Sequence, residues 1–82
     1  MAEMIQQYME KIEDASGASY DVFAYGEGRS DGTWEGWIEF HSTDGKVRRT
    51  GRETTQPNRE ALAYWASGLE PLYFEGAFMR AR

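Results

Sequence analysis

Residues able to do chemistry recur at every second position of one short stretch: Glu35, Trp37, Glu39 and His41, with Arg48 and Arg52 following soon after. That spacing puts side chains on one face of a strand. A carboxylate two residues from an imidazole could relay a proton, and Glu35, Glu39 and His41 together have the donor types of a shared metal site. Two observations weigh against both uses. His41 is the only histidine, and no nucleophile is spaced to work with it, so it reads as a surface residue. Arg48 and Arg52, across the ladder, are ready ion-pair partners for the carboxylates. Elsewhere, Glu13, Asp14 and Asp44 lack the spacing of a calcium loop. Gly26-Glu27-Gly28-Arg29 has an acid inside its glycine pair and no helix after it, unlike a phosphate cradle. The expectation is no enzyme, with no catalytic residue, no metal and no cofactor. What the stretch does offer is recognition, because tryptophan and arginine are enriched at interface hot spots. The candidate binding set is Tyr20, Trp37, Glu39, His41, Arg48 and Arg52, with Thr50 among them, on one outward sheet face.

The 82 residues suit one domain, 1–82, and a chain of that size buries roughly 60–65% of its unfolded surface, so each large side chain counts. Twelve aromatic residues supply much of that burial, at about 150–250 Å² each. The chain has no cysteine, which excludes disulfides, thiolate zinc sites and a cysteine nucleophile. No apolar run approaches the roughly 20 residues of a membrane span, and the N-terminus lacks a basic-then-apolar signal pattern. A soluble cytoplasmic protein is expected. The net charge of −5 is unevenly spread: residues 1–45 carry ten acids against Lys11 and Arg29, whereas residues 46–82 carry seven bases against four acids. Nucleic-acid binders usually present a net basic field, which this chain as a whole lacks. Pairing of acidic and basic segments within the fold accounts for the distribution. The sharper reading is an acidic face for a basic partner, or a mimic of a nucleic-acid backbone.

The patterning predicts an α+β fold. Met1, Ile5, Tyr8 and Ile12 form a stripe at helical spacing, with Glu3, Gln6, Gln7, Glu10, Lys11 and Glu13 outward, which predicts an N-terminal helix over 2–15 stopped by Gly17. Ser19–Gly28 and Trp34–His41 alternate as strands. Asp31-Gly32 and Asp44-Gly45 suit two-residue hairpin loops, so a three-stranded antiparallel meander runs from 19 to 53. The first loop pairs Ser30 with Thr33, sets Tyr25 opposite Ile38 and Phe23 opposite Phe40, and gathers Phe23, Tyr25, Trp34, Ile38 and Phe40 on one face. The second sets His41 opposite Arg48, Glu39 opposite Thr50 and Trp37 opposite Arg52. A second helix is predicted over 57–67, with Thr55, Gln56 or Asn58 as its cap and a left-handed Gly68 behind it. From Leu72 the apolar residues alternate again, which predicts a C-terminal strand. A short helix from Pro71 is the other reading, at about 1 kcal/mol for Gly76 in its middle.

The segment Arg52-Glu53-Thr54-Thr55-Gln56-Pro57-Asn58-Arg59, with Tyr64-Trp65-Ala66, Gly68-Leu69-Glu70-Pro71, Glu75-Gly76-Ala77 and the earlier Trp34-Glu35-Gly36-Trp37-Ile38-Glu39-Phe40, resembles a family of short bacterial proteins of unknown function. The resemblance covers about residues 20–81 and implies a compact natural domain without adding chemistry. In layout alone, the meander and the Ala/Tyr-rich helix are similar to the plant-type AP2 DNA-binding domain. The helix–strands–helix order is similar to the double-stranded-RNA-binding domain. The central strand here carries Glu35, Glu39 and one outward Trp where AP2 domains read DNA with Arg and Trp. Asn58-Arg59-Glu60-Ala61 stands where the RNA-binding domain has its basic cluster. Neither family's contact residues transfer.

The resulting expectation is a small acidic module that binds a protein partner, or itself, through the sheet face around Trp37. The alternative is a nucleic-acid-related protein, either a phosphate binder through Arg48, Arg49, Arg52 and Arg59 or an acidic mimic. Two arrangements stay open at this stage: the first helix packs over the Trp37 face, or that face is bare.

Overall fold

The computed structural model describes residues 1–82. Strands come first and helices last: β1 (Glu3–Glu13), β2 (Ser19–Gly28), β3 (Trp34–Ser42), β4 (Val47–Arg49), β5 (Thr54–Gln56), α1 (Arg59–Ser67) and α2 (Pro71–Arg80). All pairings are antiparallel; β1, β2 and β3 are neighbours in that order, and β4 and β5 lie one after the other along the far side of β3. The expected layout is therefore corrected at both ends. Neither helix is long and apolar enough to cross a membrane.

The N-terminus is a strand rather than a helix. The pairing of β1 with β2 is irregular between Met4 and Gln6 and again between Gln7 and Lys11. Each irregularity inserts residues that have no partner, so side chains that strict alternation would scatter turn to one face. Tyr8 is buried on that face, with Ile5 and Ile12 packed against the same core. The Tyr8 hydroxyl donates to the carbonyl of Ala66 in α1 at 2.6 Å, and its ring lies 4.4 Å from that of Phe74 in α2. Helical spacing in the sequence is here the signature of a bulged strand.

The C-terminus is a helix rather than a strand. Phe74, Ala77, Phe78 and Ala81 recur at helical spacing and all pack into the core. Phe78 meets Phe40 edge-on at 5.0 Å and Tyr20 at 5.2 Å. Pro71 sits in the first turn of α2, where its missing N–H costs nothing. The α1 helix starts later than expected, at Arg59, with Asn58 as its cap: the Asn58 side chain accepts from the Ala61 N–H at 2.8 Å. Gly68 is right-handed, at φ −95°, and not left-handed as expected.

The hairpin loops have three residues, and this changes the faces of the sheet. Arg29 N–H donates to the Thr33 carbonyl and Gly32 N–H to the Arg29 carbonyl, at 2.7 and 3.0 Å; Ser42, Lys46 and Gly45 repeat the pattern at 2.9 and 3.2 Å. Gly32 and Gly45, at φ +90° and +91°, supply the left-handed residue that such a loop requires. Against a two-residue loop, the pairing slips by one. Tyr25 lies opposite Trp37 rather than Ile38, Phe23 opposite Glu39 rather than Phe40, and Glu39 opposite Arg49 rather than Thr50. One face then carries Tyr20, Val22, Ala24, Gly26, Gly36, Ile38 and Phe40, all buried. Both helices cover it, sharing a single core with the sheet.

Leu62 of α1 fixes how closely the helix approaches. Gly26 and Gly36 are cross-strand partners, and a Cβ on either would stand 2.3 and 2.6 Å from the two Leu62 methyl carbons. Leu62 is fully buried in that socket. Between β4 and β5 the edge bulges at Gly51 and Arg52, both exposed. The ladder is kept across the bulge by Thr50, whose buried hydroxyl accepts from the Ile38 N–H at 3.1 Å and donates to the Gly51 carbonyl at 2.7 Å. Glu53 then ties the bulge to α2: its carboxylate accepts from the Tyr73 hydroxyl, and from Arg80 at 2.6 Å.

These carboxylates make stability depend on pH. Hydrogen bonds from Ser16, Thr33 and Ser42 hold the Asp14, Asp31 and Asp44 carboxyls below their ordinary range. Burial alone would raise Glu53, but its bonds from Arg80 and Tyr73 outweigh that and hold it low. Groups with a depressed folded pKa stabilise above their unfolded value and lose that contribution as pH falls through the folded one. Burial, then Glu53, pushes the Tyr73 hydroxyl up to about 12, and burial raises Tyr8 as well; their contribution is present below their unfolded value and lost at higher pH. Thermal melting should therefore show a plateau from about pH 5 to about pH 10, with the midpoint falling on both sides. A midpoint unchanged down to about pH 2 would contradict the acidic half.

Candidate functional site

Strand alternation and the corrected register assemble the second sheet face from Phe23 and Tyr25 of β2, Glu35, Trp37, Glu39 and His41 of β3, and Val47 and Arg49 of β4. Met4 of β1 pairs with Tyr25 and extends the same face. No helix lies over it, because both pack on the opposite side. Met4, Tyr25 and Trp37 thus line up across the sheet as one apolar row, with Phe23 beside it and Val47 across from His41; Met4 and Val47 are about half exposed, at 47% and 51%.

Trp37 is the floor of this row and not its exposed tip. It is only 2% accessible, although no second layer covers it. The Arg49 guanidinium lies 4.4 Å from the centre of its ring, Tyr25 stacks beside it at 6.5 Å, and its indole N–H donates to Glu39 Oε2 at 2.8 Å. Glu39 is itself 9% exposed. Its other oxygen, Oε1, meets His41 Nε2 at 2.8 Å, so one carboxylate orients both rings. His41 packs on Phe23 at 4.8 Å and is nearly parallel to Tyr25 at 6.1 Å. Comparison with protein families, with curated proteins and with solved structures finds no match.

The expected binding set divides accordingly. Trp37, Glu39 and His41 come together as anticipated. Tyr20 does not join them: it is 2% exposed on the helix-covered face and packs on Phe78. Arg48 also turns to the helices, with its guanidinium 4.2 Å over Phe78 and a bond to the Ala81 carbonyl at 3.2 Å. Arg52 lies in the exposed bulge rather than opposite Trp37, and Thr50 spends its side chain on the sheet edge. Phe23, Tyr25, Val47 and Arg49 belong to the face and were missed. The one-residue slip accounts for these changes except that of Arg52, which the bulge at Gly51 and Arg52 displaces.

The chemistry this face can perform is limited by how its polar groups are engaged. Both Glu39 oxygens are already bonded, and Glu35 pairs with Arg29 at 2.9 Å. No group of three or more His, Asp or Glu side chains converges on one point. At the β1 end of the face a surface groove of about 400 Å³ opens between Gln7, Tyr8, Met9, Lys11 and Asp21, where Lys11 and Asp21 form an ion pair.

Proposed function

We propose that the protein is a non-enzymatic interaction module whose open sheet face takes a protein partner. The observation that carries this reading is the apolar row Met4–Tyr25–Trp37, flanked by Phe23 and His41, on the face that neither helix covers. Aromatic residues, Met and Arg are the types enriched at interface cores. Trp37, held by Glu39 and Arg49, forms a rigid floor, and Phe23, Tyr25 and His41 are the half-buried groups above it. Ion pairs at Lys11–Asp21 and Arg29–Glu35 border the row, as polar rims border apolar interface cores.

Nucleic-acid binding gains no support from the arrangement. Arg48, Arg49, Arg52 and Arg59 diverge: one lies on the helices, one on Trp37, one in the bulge, and one pairs with Glu3 at 2.9 Å. Glu35 and Glu39 occupy the open face.

The test is a double replacement, Phe23→Ser with Tyr25→Ser. Removing two half-buried rings should lower stability modestly and leave the circular dichroism spectrum unchanged. Capture of the partner by immobilised protein should fall at least about tenfold, as expected when central aromatic anchors are lost. Undiminished capture by the folded double variant would contradict the proposal.

A further inference from the structure

We infer that the occupant of the open face is a second copy of this chain, docked face to face across a two-fold axis. The inference rests on the interaction reading above and adds the identity of the partner. Charge is the first argument. The chain carries −5, of which the open face carries only −2. Its carboxylates are Glu13, Asp21, Glu27, Glu35 and Glu39, five against the three cations Lys11, Arg29 and Arg49, with His41 bonded to Glu39. Asp21, Glu35 and Glu39 are each paired within the face. A surface built for a strongly charged partner would carry a surplus of one sign. This one has a surplus of only two, and the other three of the chain's excess negative charges lie elsewhere, where Glu10, Asp31, Asp44, Glu60, Glu70 and Glu75 stand. Two copies can therefore meet here with less repulsion than their net charge implies.

Area is the second argument. Three strands of nine to eleven residues, with β4 and β5 end to end as a fourth row, lie about 4.8 Å apart and rise about 3.3 Å per residue, giving a face of about 19 by 30 Å. Two such faces bury roughly 1,100 Å², near the lower limit of about 1,200 Å² for specific complexes. That suffices for a reversible dimer with a dissociation constant in the micromolar range or weaker. The geometry is also that of two stacked sheets, which pack face to face about 10 Å apart with interdigitated side chains. Each half lacks a second layer over its aromatic band, and the other half supplies it.

Sedimentation equilibrium of the full chain from low micromolar to near-millimolar concentration tests this. The mass should rise from monomer to dimer. Phe23→Asp should weaken the dimer by roughly tenfold or more. Val47→Asp, at a half-exposed site outside the ring contacts, should weaken it in the same direction if Phe23→Asp fails to fold. Tyr64→Asp, at an exposed position of α1, should behave as wild type. A dimer indifferent to both face variants would overturn the inference, and so would a wild-type monomer at every concentration. If that monomer still loses a captured partner through the Phe23→Ser, Tyr25→Ser replacement, self-association falls and the interaction reading stands. If capture is also unchanged, both fall.

Discussion

Replacing Gly26 with alanine should destabilise the fold by about 1–3 kcal/mol, the usual cost of overpacking a filled core. The added carbon would lie 2.3 Å from a Leu62 methyl and 3.1 Å from the Glu35 carbonyl oxygen. Leu62 has no free direction to yield in, since it is fully buried. Gly36→Ala should act in the same way, meeting Leu62 at 2.6 Å and Thr54 at 3.2 Å. Leu62→Ala alone should cost about 2–5 kcal/mol as the socket empties. The informative result is the double variant: with Gly26→Ala and Leu62→Ala combined, the new methyl occupies space that Leu62 has vacated. Urea unfolding should show the pair costing clearly less than the two single losses together, a coupling expected for residues in contact. Additive losses would contradict the socket.

Trp37→Ala should cost about 3–5 kcal/mol, the range for truncating a buried aromatic. It would empty the floor of the open face, leave Arg49 without its ring and deprive Glu39 of a donor. Trp37→Phe isolates the last of these losses: it keeps most of the ring and leaves one oxygen of a nearly buried carboxylate unsatisfied, at about 1–3 kcal/mol. Denaturant midpoints for the two variants should therefore separate, with Phe between Ala and wild type. Wild-type stability in Trp37→Ala would mean that the indole is a peripheral contact residue and not a structural floor. A tryptophan in this position serves the fold first and recognition through the residues it supports.

The central hairpin was largely legible in the sequence, and its register was not. The alternation of Ser19–Gly28 and Trp34–His41 located β2 and β3 to within a residue. A two-residue Asp31-Gly32 loop placed Phe23 and Tyr25 on the face of Ile38 and Phe40. The core face is instead the one with Val22, Ala24 and Gly26, because small side chains let α1 seat Leu62 against the sheet. A third loop residue beside Asp31-Gly32 decides between these faces, and hydrophobicity alone favours the wrong one. At the N-terminus, bulges in β1 produced the spacing of a helix from a strand. At the C-terminus, Gly76 and a run of alternating apolar residues hid the recurrence of Phe74, Ala77, Phe78 and Ala81. The site was half legible for the same reason. Trp37, Glu39 and His41 share one strand and needed only its period, whereas Phe23, Tyr25 and Arg49 enter through cross-strand pairing and required the register.

The most direct test of the open-face account is site-specific photocrosslinking. A benzophenone side chain at position 25 would project from the aromatic band, and one at position 64 from the exposed side of α1. The account predicts protein adducts from position 25, whether with a second copy or with another chain, and none of comparable yield from position 64. Adducts from position 64 with none from position 25 would contradict it, and would place the interaction surface on the helices.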